Sequence, residues 1–245
     1  MVSNIQKVAQ TAYRLFSRIC GNSDVLLSSQ NVGLLTSMMN TIKDKDVNFD
    51  MSKISLESET PVSYIDIYED PVMTMAIFII RDGCKIPLHD HPGMYGFCKV
   101  IHGSARMKSF SDPQNFIGNP PENIASKIRP YLRQSIKPVV LEEESIFSSD
   151  DNCCVVTPNH GTYHELVAVN GPVAFLDILA PSYDHASGAR ICQYYEEIKG
   201  QNEEIKHLGK PLIWFTPISQ PSDFWCDPEE YEGPSVVDAL NEIVK

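Results

Sequence analysis

An all-β sandwich or barrel preceded by helices is the architecture this sequence predicts, and three observations carry the prediction. From about residue 60, short runs rich in β-branched and aromatic residues succeed one another: VSYIDIYE, VMTMAIFII, YGFCKVI, ARMKSF, CCVVTP, HELVAV, PVAFLDIL and PLIWFTP. Gly, Pro, Asn and Asp separate these runs, the punctuation expected of many short strands in one β domain. Ahead of residue 60 the spacing is helical instead, with Ile5, Val8, Ala12, Leu15, Phe16 and Ile19 forming one apolar stripe.

Taken in order, residues 4–20 and about 30–43 predict two helices within a segment 1–58 that packs on a single β domain of residues 59–245. Residues 111–145 hold five prolines and alternating basic and acidic patches, which predicts a surface excursion between strands. The sequence HELVAV-NG-PVAFLDIL predicts a hairpin, because Asn170 and Gly171 both tolerate positive φ. A two-residue turn there would set Leu166 opposite Phe175 and His164 opposite Asp177, on one face of one sheet. In the tail, from about residue 219, Phe224 and Trp225 are expected to pack back on the body, with a short or frayed helix after Pro234.

Composition narrows the function classes. At 42% hydrophobic and 21% charged the chain has the balance of a soluble globular domain large enough to bury a core. A net charge of −12 argues against nucleic acid or an anionic membrane as partner, since phosphates demand concentrated Lys and Arg. No apolar run approaches the roughly 20 residues of a membrane helix. Seven cysteines without a CxxC pair predict reduced thiols in an intracellular setting, with the cytoplasm as the expected compartment. Lys7, Arg14 and Arg18, with no acid before Asp24, also fit a mitochondrial transit peptide, but the amphipathic helix accounts for the same residues. A monomer is expected.

The stretch IPLHDHPG, residues 86–93, carries the chemistry. Residues two apart in a strand share a face, so His89 and His91 are placed to hold one metal ion, while Asp90 points away. The frame Gly83-x5-His89-x-His91-x4-Gly96-x6-Gly103 resembles the first motif of the cupins, double-sheet jelly-roll barrels with a metal at the mouth. Gly96 stands where that motif usually has a Glu ligand. PNHGTYH, residues 158–164, resembles the second motif and makes His164 the third candidate ligand, with His160 in the loop as its rival. Glu165 points away by alternation, and His102, His185 and His207 read as surface or turn residues. Imidazoles suit Fe, Zn, Cu and Ni. Three neutral ligands leave the full charge of a divalent ion, which favours an anionic sulfur ligand.

Four stretches in sequence, IPLHDHPGMYG, FLDILAPSYD, CQYYE and DFWC, resemble the cysteamine (aminoethanethiol) dioxygenases and the plant cysteine oxidases over most of residues 60–234. That resemblance implies one Fe(II) per chain, held by His89, His91 and His164, and O2 as co-substrate. It implies conversion of cysteamine to hypotaurine, or of an N-terminal cysteine to its sulfinic acid, an oxygen-sensing step that marks proteins for arginylation and degradation. It also implies an acidic residue, Asp177, near the metal with a catalytic or substrate-binding role. Cys192 and Tyr194 match a Cys-x-Tyr pair that is thioether-linked in some animal members. Tyr95 stands where vertebrate members have a histidine, which predicts a hydroxyl near the substrate. The stretches 84–103 and 158–181 contain no Arg, as suits a thiol without a carboxylate. Two other classes fit the motifs less well: a Zn or Ni isomerase or hydrolase, and a metal-free ligand-binding barrel.

Overall fold

Ser3 opens the first helix by a reciprocal cap: its hydroxyl accepts the Gln6 N–H while the Gln6 side-chain carbonyl accepts the Ser3 N–H. The helix that follows, α1 (Asn4–Phe16), buries Ile5, Val8, Ala12, Leu15 and Phe16 on one face. A second helix, α2 (Ser29–Met39), is capped by the Ser28 hydroxyl. Both are shorter than the apolar spacing predicts. At the end of α2 the Asn40 side chain accepts the Cys153 N–H at 2.6 Å, so the chain is tied to the β domain instead of continuing the helix. The computed structural model describes residues 2–20, 26–54, 59–200 and 205–242.

Among the described residues thirteen strands follow: β1 (Val62–Glu69), β2 (Thr74–Ile80), β3 (Lys85–Asp90), β4 (Tyr95–His102), β5 (Ser104–Ser111), β6 (Lys137–Ser148), β7 (Cys154–Val156), β8 (Tyr163–Ala168), β9 (Val173–Ala180), β10 (Tyr194–Glu197), β11 (Lys206–His207), β12 (Lys210–Ile218) and β13 (Cys226–Glu229). A short helix, α3 (Glu122–Ala125), lies between β5 and β6, and α4 (Val236–Asn241) ends the described chain. The strands form two sheets, in the orders β13-β1-β2-β9-β4-β7 and β10-β3-β8-β5-β6-β12-β11. The inner eight strands, β2-β9-β4-β7 facing β3-β8-β5-β6, make a jelly roll, so the predicted cupin-type double-sheet architecture is the observed one.

The predicted hairpin is not there. β8 lies between β3 and β5 in one sheet and β9 lies between β2 and β4 in the other, so the Asn170-Gly171 turn carries the chain across the barrel from sheet to sheet. The turn does use positive φ, 59° at Asn170 and 127° at Gly171. Every residue of β9 is buried, because one face meets the helices and the other the barrel interior. Alternation therefore cannot reveal which strand is its neighbour.

The excursion is also shorter than residues 111–145. β5 runs through Ser111, and β6 begins at Lys137, pairing with β5 back to Ser104↔Ser148. The acidic run of β6 reads as loop only because it faces solvent, where Glu144 meets Arg106 and Lys108 of β5 at 3.2 and 3.4 Å. Residues 112–136 remain outside the sheets, and Ile124 and Ile136 seat them on Val140, Leu212 and Trp214.

Two apolar layers result. α1, α2 and α4 cover the outer face of the first sheet, with Phe16 against Phe97 at 6.2 Å between ring centroids. Between the sheets Ile80, Ile86, Val100, Leu166 and Phe175 pack with Phe224 of the tail. Trp225, expected to pack beside Phe224, is instead 39% exposed. β13 pairs in parallel with β1, and the Gln6 and Gln10 side chains donate to the Ser235 and Ala239 carbonyls, which ties the last helix to the first. No helix among the described residues is long and apolar enough to cross a membrane.

Candidate metal centre

Pro87 lacks an N–H, and the β3–β8 register shifts between Ile86 and His89. After the shift His89 lies opposite His164 of β8, and cross-strand partners project to the same face. His91 follows the end of β3, its N–H donating to the Thr162 carbonyl at 2.8 Å. The turn behind it needs Gly93, whose φ is +67°. Three rings converge as a result, with centroid separations of 4.8 Å (His89–His91), 4.7 Å (His89–His164) and 4.6 Å (His91–His164). Their ligand nitrogens lie within 4.8 Å of one another, and all three side chains are buried.

Hydrogen bonds decide which nitrogens are available. His89 Nδ1–H donates to the Pro87 carbonyl at 2.8 Å, leaving Nε2 as its lone-pair nitrogen. The Tyr183 hydroxyl donates to the Asp90 carbonyl at 2.6 Å, so at 2.8 Å it accepts from His91 Nδ1–H, and His91 Nε2 is likewise unprotonated. That Nε2 lies 3.0 Å from His164 Nε2. His164 Nδ1 is buried without a polar partner among the described residues, so no oxygen anchors the back of this ring as Pro87 and Tyr183 anchor the other two. Burial holds all three imidazoles below their usual pKa and therefore neutral. Two Nε2 lone pairs turned inward by N–H groups held at a carbonyl and a hydroxyl oxygen, with the neutral His164 ring beside them, fit a divalent transition metal.

Among the described residues no carboxylate joins this set. The Asp90 side chain turns to the far face, where its oxygens accept the Gln193 N–H at 3.0 Å and the Tyr195 hydroxyl at 2.8 Å. A Cβ at Gly96 would come within 3.2 Å of Leu179 and 3.3 Å of Val156, so neighbouring side chains crowd the position of the usual Glu. Glu165 pairs with Lys85 at 3.6 Å. His160 is exposed near Glu142, away from the cluster, which removes it as the rival of His164.

Beside the histidines lies a cavity of about 260 Å³, walled by Phe78, Ile86, Leu166 and Phe175. Asp177, Cys192 and Tyr194 all line it. Asp177 comes from β9, so it faces His164 across the barrel interior and not along a hairpin. Burial pushes its carboxyl up to about 7, against a smaller opposing effect of the Ile178 N–H. The Cys192 sulfur is within hydrogen-bond reach of the Tyr183 and Tyr194 hydroxyls, and burial raises its pKa to about 11, so it is a neutral thiol. The Tyr194 ring stands 6.4 Å from that of His89.

Tyr95 must be withdrawn from the substrate-binding residues. It has the outward phase of β4, shared with Phe97, and lies on the helical side of the sheet against Phe16, its hydroxyl accepting the Leu27 N–H at 2.9 Å. The inward phase belongs to Gly96 and Cys98. Tyr183, to which no role was assigned from the sequence, is the residue that orients His91. Its only local signal is its place just after β9, in the DILAPSYD stretch.

The PCO_ADO family model matches residues 26–236 of this chain. The chain is 34% identical to the 2-aminoethanethiol dioxygenase of Mus musculus, over 97% of this chain and 98% of that protein. It is 25% identical to Plant cysteine oxidase 1 of Arabidopsis thaliana, over 97% of this chain and 82% of that protein. Among solved structures, KdgF from Halomonas sp. is similar over 51% of this chain and 82% of its own, with a TM-score of 0.34 and 14% identity. The family match and the mouse relative span nearly the same chain that builds the barrel and its three-histidine centre, and the chain belongs to the PCO_ADO family of thiol dioxygenases.

Proposed function

We propose that His89, His91 and His164 hold iron(II) and that the chain uses O2 to convert a thiol to a sulfinic acid, RSH + O2 → RSO2H. The observation that carries this reading is the three-imidazole set without a carboxylate, opening on an apolar cavity. Bound there, the metal supplies a Lewis-acidic centre at which a thiol ionises and O2 is activated.

The chain's own residues do the rest. Tyr183 and the Pro87 carbonyl hold the His91 and His89 rings so that Nε2 of each faces inward. Phe78, Ile86, Leu166 and Phe175 exclude water, which strengthens every charge interaction inside. Asp177 is placed to hold the substrate ammonium, and a cation beside it would stabilise the ionised carboxylate that burial disfavours. No Lys or Arg lines the cavity among the described residues, so it offers no receptor for a substrate carboxylate. Cysteamine and a peptide-linked N-terminal cysteine meet that condition, and free cysteine does not. The products expected are hypotaurine and a peptide N-terminal cysteine sulfinic acid.

Anaerobic reconstitution with Fe(II), followed by admission of air and mass spectrometry of cysteamine and of a Cys-starting peptide, tests the reading. Gain of two oxygen atoms on sulfur supports it; activity with Zn(II) alone, or no thiol-dependent O2 uptake with Fe(II), refutes it.

A further inference from the structure

A second cavity, of about 320 Å³, adjoins the metal chamber and shares four wall residues with it: Phe78, Asp177, Leu179 and Tyr183. Beyond that shared wall it runs along the inner face of β1 and β2, over Ala76 and past Tyr64, and reaches the surface at the exposed Glu69 and His185. The Tyr64 ring packs on Phe78 at 5.0 Å, and Tyr183 stacks on His185 at 5.7 Å, so both sides of the passage are built from packed rings. Ala76 is the Cα partner of Asp177 across β2 and β9, which puts its small side chain on the floor beside the carboxylate.

We infer that this outer chamber is the exit path for a polypeptide whose N-terminal cysteine occupies the metal chamber, and that Ala76 and Glu69 select the residue following that cysteine. This rests on the function proposed above. The argument is connectivity. In an N-terminal cysteine the amine and the continuing carbonyl are carried by the same carbon. An ammonium held at Asp177 therefore directs the chain past Asp177, and Asp177 belongs to both chambers. Cysteamine ends at its ammonium and leaves the outer chamber empty. Apart from Asp177, Glu69 is the carboxylate of the outer lining, and no Lys or Arg lines it among the described residues. A second residue that is cationic is favoured there and an acidic one disfavoured.

The test uses the Fe(II) enzyme with cysteamine and with amidated peptides beginning Cys-Lys, Cys-Ala and Cys-Glu. kcat/KM is read as sulfinate formed, and Kd is measured anaerobically, where no turnover occurs. The wild type is expected to rank Cys-Lys above Cys-Glu in both measurements. Ala76→Leu, which narrows the floor, is expected to lower the ratio of peptide to cysteamine kcat/KM by about tenfold. Glu69→Lys, at an exposed position that does not threaten folding, is expected to reverse the Lys and Glu ranking in kcat/KM and in anaerobic Kd. An unchanged ratio in Ala76→Leu, or an unaltered ranking in Glu69→Lys, overturns the assignment. So does a wild type that oxidises cysteamine but no peptide, which would leave the proposed function standing. Oxidation of neither thiol would defeat the proposed function itself.

Discussion

Tyr183 connects three groups through one oxygen: it donates to the Asp90 carbonyl, accepts from His91 Nδ1–H and lies within reach of the Cys192 sulfur. Its removal frees the His91 ring to flip its tautomer. Tyr183→Phe should therefore weaken metal binding by about 10- to 100-fold, the usual effect of losing the partner that orients a ligating histidine. Competition against a coloured chelator measures this, and unchanged affinity would remove Tyr183 from the centre. Asp177 gives a second residue-level prediction, in the metal-free chain. Its folded-state pKa is raised from 3.8 to about 7, so between those values the folded chain holds a proton that the unfolded chain has lost. Stability contributed by Asp177 therefore falls as pH rises through that window, by up to about 1.4 kcal/mol per pH unit. The histidines act oppositely: their lowered pKa values make stability rise with pH through the ordinary histidine range. The difference in unfolding free energy between Asp177→Asn and the wild type isolates the first effect. It should grow from pH 4 to pH 7 and then level off; a flat difference contradicts the burial argument. At this scale the sequence was legible where the signal is local. His89 and His91 are two apart, and their shared role follows from strand geometry alone. Tyr95 was misplaced because its side depends on the phase of β4, and Tyr183 was missed because Asp90 and His91, the partners that tie it to the centre, lie more than ninety residues away in sequence.

Elements were legible according to whether their two faces differ. α1 has a polar side and an apolar side, and its stripe of Ile5, Val8, Ala12, Leu15 and Phe16 is the buried one. β9 is buried on both faces, so nothing in Val173–Ala180 says whether its neighbour is β8 or the pair β2 and β4. β6 errs the other way, since its solvent-facing Glu residues read as loop although the strand is twelve residues long. The turn between β4 and β5 explains how the sheet-to-sheet crossing is held. Gly103 has φ +70°, and a Cβ there would lie 2.2 Å from the Pro172 carbonyl oxygen. The β8–β9 connection is thus pressed against this glycine. Gly103→Ala meets both the left-handed backbone and that contact, and it should destabilise by at least about 1–2 kcal/mol. A urea midpoint shifted with an unchanged m-value would record it; a wild-type midpoint would show that the contact is not tight.

At the scale of the whole molecule the centre is a clasp between distant parts of the chain. His89 and His91 lie at the end of β3, His164 enters from β8, and Tyr183 arrives from beyond β9, in a barrel whose opposite sheet carries Asp177. The unfolded chain has no such preformed set, so metal binding and folding are linked. With free metal at a hundred times its Kd the folded state gains about 2.7 kcal/mol. Thermal unfolding of the wild type should accordingly shift upward on addition of Fe(II) under anaerobic conditions and return on chelation. The shift should also fade once pH falls below the ordinary histidine range, where protons reach the lowered pKa values of the folded imidazoles and compete for the same Nε2 lone pairs. His164→Ala removes the ligand whose outer nitrogen, Nδ1, has no hydrogen-bond partner among the described residues, so it disturbs the surrounding network least. That variant should keep a cooperative transition near the metal-free wild type and lose the metal-dependent shift. A His164→Ala chain that still gains stability from Fe(II) as the wild type does would mean that the ion binds elsewhere on this acidic surface, and the three-histidine centre would have to be given up.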